Sequence, residues 1–395
     1  MISGHDNTSS KIGFLFNHDA AHQAPHVIPI LAAYAAKRPQ DEIRAYVSDA
    51  AMRKTIESAL DPAINARLHW IDLELPFPLS QTARVLDVAM PASRVTRLHW
   101  SWKQFEDLDA LIAPERTCLI LKRKAGMSHV KFIHVRHGAG DRAIGFHKSF
   151  RHFDLLLLQG EKYSRRLKET GGLDQNEYAK IGYPKFDDLE THQWAENFFD
   201  NDNPVVFYNP HFAPGLSSWY EWGTHILDYF ADNPDLNVIF APHIMLFKKG
   251  VHIAPETKRM AFRRDLSPRY AQCKNIHIDI DSARLLDMTY TLNSDLYLGD
   301  VSSQVVEFLV KPRPCVFLNP YNLDGNRLGL EFWRLGDVLK SIDDLDHTIR
   351  DRLKGEHRFK DAQADYFADT FDLTQTPSAQ RAANAIEEFM VKTKS

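Results

Sequence analysis

From Lys11 onward the chain runs apolar through IGFLF, passes a polar loop, NHDAAHQAPH, and then repeats apolar positions three and four apart in VIPILAAYAAKR. The short unbroken run predicts a buried strand, and the wider spacing predicts a helix lying on it. The alternation continues with EIRAYVS (42–48) as strand, AAMRKTIESAL (50–60) as helix and ARLHWID (66–72) as strand. Four more strands are expected at CLILK (118–122), KFIHVRH (131–137), DLLLLQG (154–160) and YAKIGYP (178–184). At 188–203 the pattern lapses into DLETHQWAENFFDNDN. It resumes with strands at VVFYNP (205–210), NVIFAPH (237–243), NIHID (275–279), DLYLGD (295–300) and PCVFLNP (314–320), and helices over 222–232, 282–292 and 302–310. Short apolar strands alternating with helices imply an α/β chain whose mostly parallel sheets are covered on both faces. The lapse sets the expected boundary: a first domain over 1–195, a second over 196–375, and a tail over 376–395 that forms a helix crossing back to the first domain.

Composition narrows the function. The 395 residues are 44% hydrophobic and 25% charged, ordinary for a globular chain long enough for two cores. A net charge of -4 excludes a protein that coats nucleic acid through bulk electrostatics, so any basic site must be local. Such a site is present: between Arg116 and Arg151 stand nine Lys or Arg residues against one acid, Asp141. Cys118, Cys273 and Cys315 are far apart, with no CxxC pair, and read as reduced thiols of a cytoplasmic protein. The opening MISGHDNTSSK lacks the apolar core of a secretory signal, and runs such as 155–158 are too short to cross a bilayer. Any meeting with a membrane is then expected at its surface, from the cytoplasmic side.

Five segments carry candidate chemistry. In GDVSSQVVEFLVKPRPCV (299–316) a strand turns at Asp300 into a helix through Ser302 and Ser303. Free N–H groups, two hydroxyls and a helix dipole suit a diphosphate there, although simple capping is the bland alternative. Glu307, among Val305, Val306, Phe308 and Leu309, is placed to accept from a ribose diol, the alternative being a solvent-facing carboxylate. His137 and Gly138 follow a strand, where an imidazole can take a proton from an attacking hydroxyl and glycine admits close approach. His243, ending NVIFAPH, can donate to a departing diphosphate. Arg136 and Arg142, within the basic stretch, are candidate contacts for an anionic acceptor, and so are His18 and His22 of the first loop. A metal site from His18, His22 and His26 is disfavoured by Pro25 and by the missing carboxylate partner, and no DxD motif stands in a suitable loop. No metal or cofactor is expected.

The run NSDLYLGDVSSQVVEFLVKPRPCVFLNPYN resembles the Asp-Tyr-Ser-Ser signature and following strand of the CDP-glycerol glycerophosphotransferase family, whose best-known members polymerise wall teichoic acids. VRHGAG (135–140), VVFYNPHFAP (205–214), VIFAPHIMLF (238–247) and LGDVLKSIDDLDHTI (335–349) resemble further family segments in the family's order. Val301 stands where the family has tyrosine, Ile244 follows His243 in place of proline, and Asn209-Pro210-His211 replaces Ala-Pro-Thr. The resemblance implies a GT-B fold, two Rossmann-like domains with an interdomain cleft. It also implies transfer of an alditol phosphate or glycosyl unit from a nucleotide-linked, CDP-type donor, with no metal, to a hydroxyl of a surface-polysaccharide or lipid-linked precursor. In that reading His137 and His243 are catalytic, Gly138, Asp300, Ser302 and Ser303 hold the diphosphate, and Glu307 meets the ribose. A UDP-sugar-dependent glycosyltransferase and a UDP-sugar 2-epimerase, which share the fold, remain as alternatives.

Overall fold

The structure, a computed structural model, describes residues 9–18, 23–87, 91–140, 143–190, 194–254, 258–325, 329–355 and 357–394. The chain divides into two compact units. One comprises Met1–Gly138, Phe146–Asp188 and Asp369–Ser395, and the other Ala139–Gly145 and Leu189–Ala368.

The first unit is built on seven parallel strands: β1 (Lys11–Phe16), β2 (Glu42–Val47), β3 (Leu68–Asp72), β4 (Ala110–Ala113), β5 (Lys131–Val135), β6 (Leu155–Leu158) and β7 (Glu177–Lys180). Their order is β3-β2-β1-β4-β5-β6-β7, so the direction of winding reverses between β1 and β4. Alternate side chains enter two cores, as the strand period of two requires. Ile12, Phe14 and Phe16 face one core with Ile112 and Leu157, while Leu15, Leu111 and Leu156 face the other. Helices α1 (Ala24–Lys37) and, from the far end of the chain, Ser378–Lys394 cover the first of these faces. The last helix contributes Ala382, Ala383, Ile386 and Phe389, apolar positions three and four apart on one stripe. Its first N–H groups are capped from a distant segment: Asp187 accepts from Ser378 N at 2.7 Å and from Ala379 N at 2.8 Å.

The second unit carries β8 (Val205–Asn209), β9 (Asn237–Phe240), the antiparallel hairpin β10 (Val251–Ala254) and β11 (Arg259–Phe262), then β12 (Ile276–Ile278), β13 (Leu296–Gly299), β14 (Cys315–Leu318) and β15 (Asp337–Leu339). Its six-stranded parallel sheet has the order β12-β9-β8-β13-β14-β15, reversing between β8 and β13. Helix α2 (Trp219–Asp232) packs on it through Trp219, Ile226, Leu227 and Phe230.

Several elements differ from the expectations. CLILK is not a strand: 116–123 winds as 3-10 helix, with Cys118 and Leu121 buried at a spacing of three. The sheet position is filled by ALIA (110–113), a shorter run that is buried throughout. The helix expected over 282–292 is broken into turns at Ala283–Leu285 and Thr289–Leu292, and Asp279 accepts from Ser282 N and Tyr290 Oη to fix the break. The helix after Ser302 spans only Ser303–Phe308. The hairpin β10–β11 has no counterpart in the sequence reading.

Asp187→Ala removes both cap bonds of the final helix and is expected to lower stability by about 1–2 kcal/mol. Ile386→Ala opens a cavity under the same helix and should cost roughly 2–5 kcal/mol. Urea denaturation of the two variants against the parent measures both.

Candidate active site

Ligands of doubly wound sheets bind beyond the carboxyl ends of the strands where the winding reverses. In the first unit that point lies between β1 and β4. His18 stands two residues past Phe16, and Glu115 two residues past Ala113, so adjacent strands deliver the pair to one place. His18 Nδ1 and Glu115 Oε1 form a hydrogen bond, which Arg94 joins through Nη1 at 3.0 Å while Thr117 Oγ1 donates to Oε2 at 2.8 Å. Burial opposes the Glu115 charge, but the His18 hydrogen bond and the His18 and Arg94 charges win and hold its carboxyl at about 2. An ionised carboxylate only accepts, so His18 donates from Nδ1. Its Nε2 is buried and has no hydrogen-bond partner among the described residues.

His137 arrives from β5 beside this pair. Its Nδ1 lies 2.7 Å from the carbonyl of Pro114. A carbonyl can only accept, so the proton sits on Nδ1 and Nε2 presents a lone pair. Burial, reinforced by the positive charges of His18 and Arg136, brings the imidazole down to about 4, with Glu115 and the Pro114 bond opposing. His137 is therefore neutral at pH 7. Gly138 takes the left-handed conformation, φ 62°, and its N–H is directed at His26 Nε2 at 3.4 Å. Arg136 is buried, its guanidinium 4.1 Å from the Tyr163 ring centroid and 4.7 Å from that of Phe146. A cation in that position is attracted to the faces of both rings. Elsewhere in the basic stretch Lys122 pairs with Asp154, and Arg116 reaches Ser149 Oγ, while Lys148 and Arg151 are exposed. His22 and Arg142 lie outside the described residues.

In the second unit the winding reverses between β8 and β13, which pair in register from Leu296↔Val206 to Gly299↔Asn209. A Cβ at Gly299 would stand 2.6 Å from the Asn209 carbonyl, so glycine is what allows the two strand ends to meet. Asp300 follows directly. Its Oδ2 accepts from His211 N at 2.7 Å and Ser218 N at 2.8 Å, suspending the loop 210–218 from the end of β13. Burial raises this carboxyl to about 7 despite those bonds. Asp300 Oδ1 is buried without a hydrogen-bond partner among the described residues.

The suspended loop brings His211 to His243, with ring centroids 5.2 Å apart and Phe212 against both. His211 Nδ1 accepts from Ala213 N at 3.0 Å, and His243 Nδ1 accepts from Met245 N at 3.2 Å. A backbone N–H can only donate, so both rings carry their proton on Nε2, the reverse of His137. Ser302 uses its hydroxyl to cap α3 (Ser303–Phe308), accepting from Gln304 N, and Ser303 is the first residue of that helix. Capping thus accounts for the Ser302 acceptor lone pair, leaving its O–H proton to donate. Glu307 is buried among Val305, Val306 and Phe308, which rules out the solvent-facing alternative.

Two participants escaped the sequence reading. Glu115 stands in APERT, and its signal was position alone, a carboxylate just past a strand that had itself been missed. His211 was noted only as a departure from a family motif. Among the described residues no three His, Cys, Asp or Glu side chains converge as metal ligands do.

Comparison of the sequence with protein-family models and with curated proteins finds no match. Comparison of structures finds the wall teichoic acid polymerase TagF, with a TM-score of 0.61 and 15% identity over 99% of this chain and 92% of that one. A histidine-to-asparagine variant of the polymerase soaked with CDPG scores 0.59 at 15% identity, over 99% of this chain and 90% of the other. UDP-GlcNAc 2-epimerase from Neisseria meningitidis bound to UDP-GlcNAc scores 0.54 at 12% identity, covering 97% of this chain and 100% of that one. With two Rossmann-like parallel-sheet bodies, the chain has the GT-B fold of these enzymes.

Proposed function

We propose that this protein is a transferase moving a glycerol-phosphate, other alditol-phosphate or glycosyl unit from a nucleotide-diphosphate donor, CDP-linked, to a hydroxyl of a surface-polysaccharide or lipid-linked glycan precursor. The observation carrying this reading is the opposition of tautomers: a neutral acceptor nitrogen on His137, and two donor nitrogens on His211 and His243. Group transfer to an alcohol needs both. The attacking hydroxyl gives its proton to His137 Nε2 as its oxygen bonds to the donor. In alditol-phosphate transfer it bonds to the β-phosphorus and the nucleoside monophosphate leaves with the bonding pair, and in glycosyl transfer it bonds to the anomeric carbon and the nucleoside diphosphate leaves with the bonding pair. Charge on the departing phosphate is met by the Nε2–H groups of His211 and His243 and by the hydroxyl and amide donors of Ser302 and Ser303, without a metal. Glu307 serves the ribose. Asp300 is a positioning residue, setting the loop that carries His211. The anionic acceptor is met near the mouth of the first sheet, where His18 stands, at the cytoplasmic face of the membrane.

A UDP-sugar 2-epimerase would require a carboxylate base, and Glu115 is a candidate because it is ionised beside two histidines. Its oxygens already accept from His18, Arg94 and Thr117, which leaves little basicity for removing a carbon-bound proton. The transferase reading is therefore preferred.

Nucleotide specificity is read by thermal shift with CMP, CDP, UDP and GDP. A ligand at a hundredfold over its Kd stabilises by about 2.7 kcal/mol, and cytidine nucleotides should give the largest shift. A larger shift with UDP would favour the sugar-dependent alternatives. No shift with any nucleotide, together with full activity in Ser302→Ala and Ser303→Ala, would overturn the donor site. His137→Ala should lower kcat by roughly 10²–10⁴-fold, and His211→Ala or His243→Ala by roughly 10²–10³-fold. Because His137 loses its basic form only when protonated, the acid limb of kcat/KM should fall near pH 4, well below the 6.5 of an ordinary histidine.

A further inference from the structure

The hairpin β10–β11 presents one apolar face to solvent. Its register pairs Val251 with Phe262 and Ile253 with Met260, and all four side chains point outward, 37%, 69%, 44% and 60% exposed respectively. Cross-strand neighbours of this kind form one continuous apolar patch. The opposite face is fixed to the body of the unit. His252 is buried, bonded to the Leu246 carbonyl at 3.0 Å and set against Phe212 and Tyr220. Arg259 lies over the Tyr321 ring at 4.7 Å, and Tyr321 bonds to Ser217 O within the loop suspended from Asp300.

Charge selects the occupant. Residues 248–265 contain six Lys or Arg against two acids, in a chain whose net charge is -4. Lys248, Lys249, Lys258 and Arg264 are exposed at the ends of the strands, around the apolar face. A second copy of this chain docking through the same patch would set these cations against their own images. A protein partner with an apolar groove would not need cations at both ends of the hairpin. An anionic bilayer satisfies both features, since its headgroups attract the cations and its acyl boundary receives the four side chains.

We propose that the outer face of β10–β11 is a membrane-docking surface that inserts Val251, Ile253, Met260 and Phe262 into the interface of an anionic lipid bilayer. Because the inner face of the same hairpin packs on Phe212, docking sets the loop bearing His211, and His243 against it, close to the bilayer surface, within reach of a lipid-linked acceptor. Among the described residues no helix is long and apolar enough to span a membrane, so an interfacial hairpin supplies attachment without one.

The test is co-sedimentation of the full chain with phosphatidylglycerol–phosphatidylcholine vesicles and with pure phosphatidylcholine, at low and high salt and without donor. Binding to the anionic vesicles is expected, with at least a tenfold weaker partition coefficient for Met260→Ser/Phe262→Ser and for Lys248→Glu/Lys249→Glu, and a fall with salt. Both variants change exposed side chains, and their melting temperatures should match the parent. Absence of sedimentation, or equal binding by parent and variants, would overturn the proposal. A parent that is dimeric by light scattering and becomes monomeric in Met260→Ser/Phe262→Ser would overturn it too, making the face a self-interface. The nucleotide shifts are measured without lipid, so failure here leaves the transferase reading standing, and failure there leaves the docking standing.

Discussion

Buried between β13 and the loop 210–218, the Asp300 carboxylate accepts two backbone N–H groups with one oxygen, and the second unit's site hangs from those bonds. Without that oxygen the amides of His211 and Ser218 would be buried unpaired, and each orphaned donor costs about 1–3 kcal/mol. His211 would lose its position beside His243, and Tyr321, bonded to Ser217, would lose its support under the hairpin. The constraint is carried by a group whose own charge is disfavoured there, since burial lifts its carboxyl to about 7. Folded protein therefore binds a proton at Asp300 that the unfolded chain, with the ordinary carboxylate value, gives up at lower pH. Asp300 contributes stability that is greatest in acid and is lost as pH rises towards 7.

The first unit solves a related problem with the opposite sign. There the carboxylate of Glu115 is driven strongly to its charged form by His18 and Arg94, and the neighbouring His137 is driven to its neutral form. Both outcomes follow from placing several titratable groups in one water-poor spot at the end of a parallel sheet, where neighbouring charges and desolvation pull in different directions. Two similar sheets thus carry two electrostatic characters, one rich in acceptors and one rich in donors.

Much of this was legible from hydrophobic period alone. IGFLF, EIRAYV, KFIHV, LLLL, VVFYN, NVIF and CVFL all became parallel strands, because strands buried on both faces leave an unmistakable apolar run. Reading failed where a short strand and a turn competed, as in ALIA against CLILK, since apolar runs of four residues carry no period that separates them. Losing β4 also meant losing Glu115, whose meaning depends on the strand before it. The tautomers of His137, His211 and His243 were beyond sequence reading altogether, because each is dictated by a backbone group brought near only by folding. The hairpin escaped for a simpler reason: its two runs, VHIA and RMAF, are only four residues each, too short for their alternation to stand out.

The final helix has a consequence for how the molecule is made. Residues 378–394 complete the core beneath α1, yet a ribosome reaches them only after synthesising all of the second unit. During translation Tyr34, Leu31 and Val27 therefore lack part of their native cover while a later domain already has its full sequence. The first unit can therefore complete its core only after the second unit has been synthesised. Until then the apolar face of α1 that the last helix covers stays open to solvent and to chaperones.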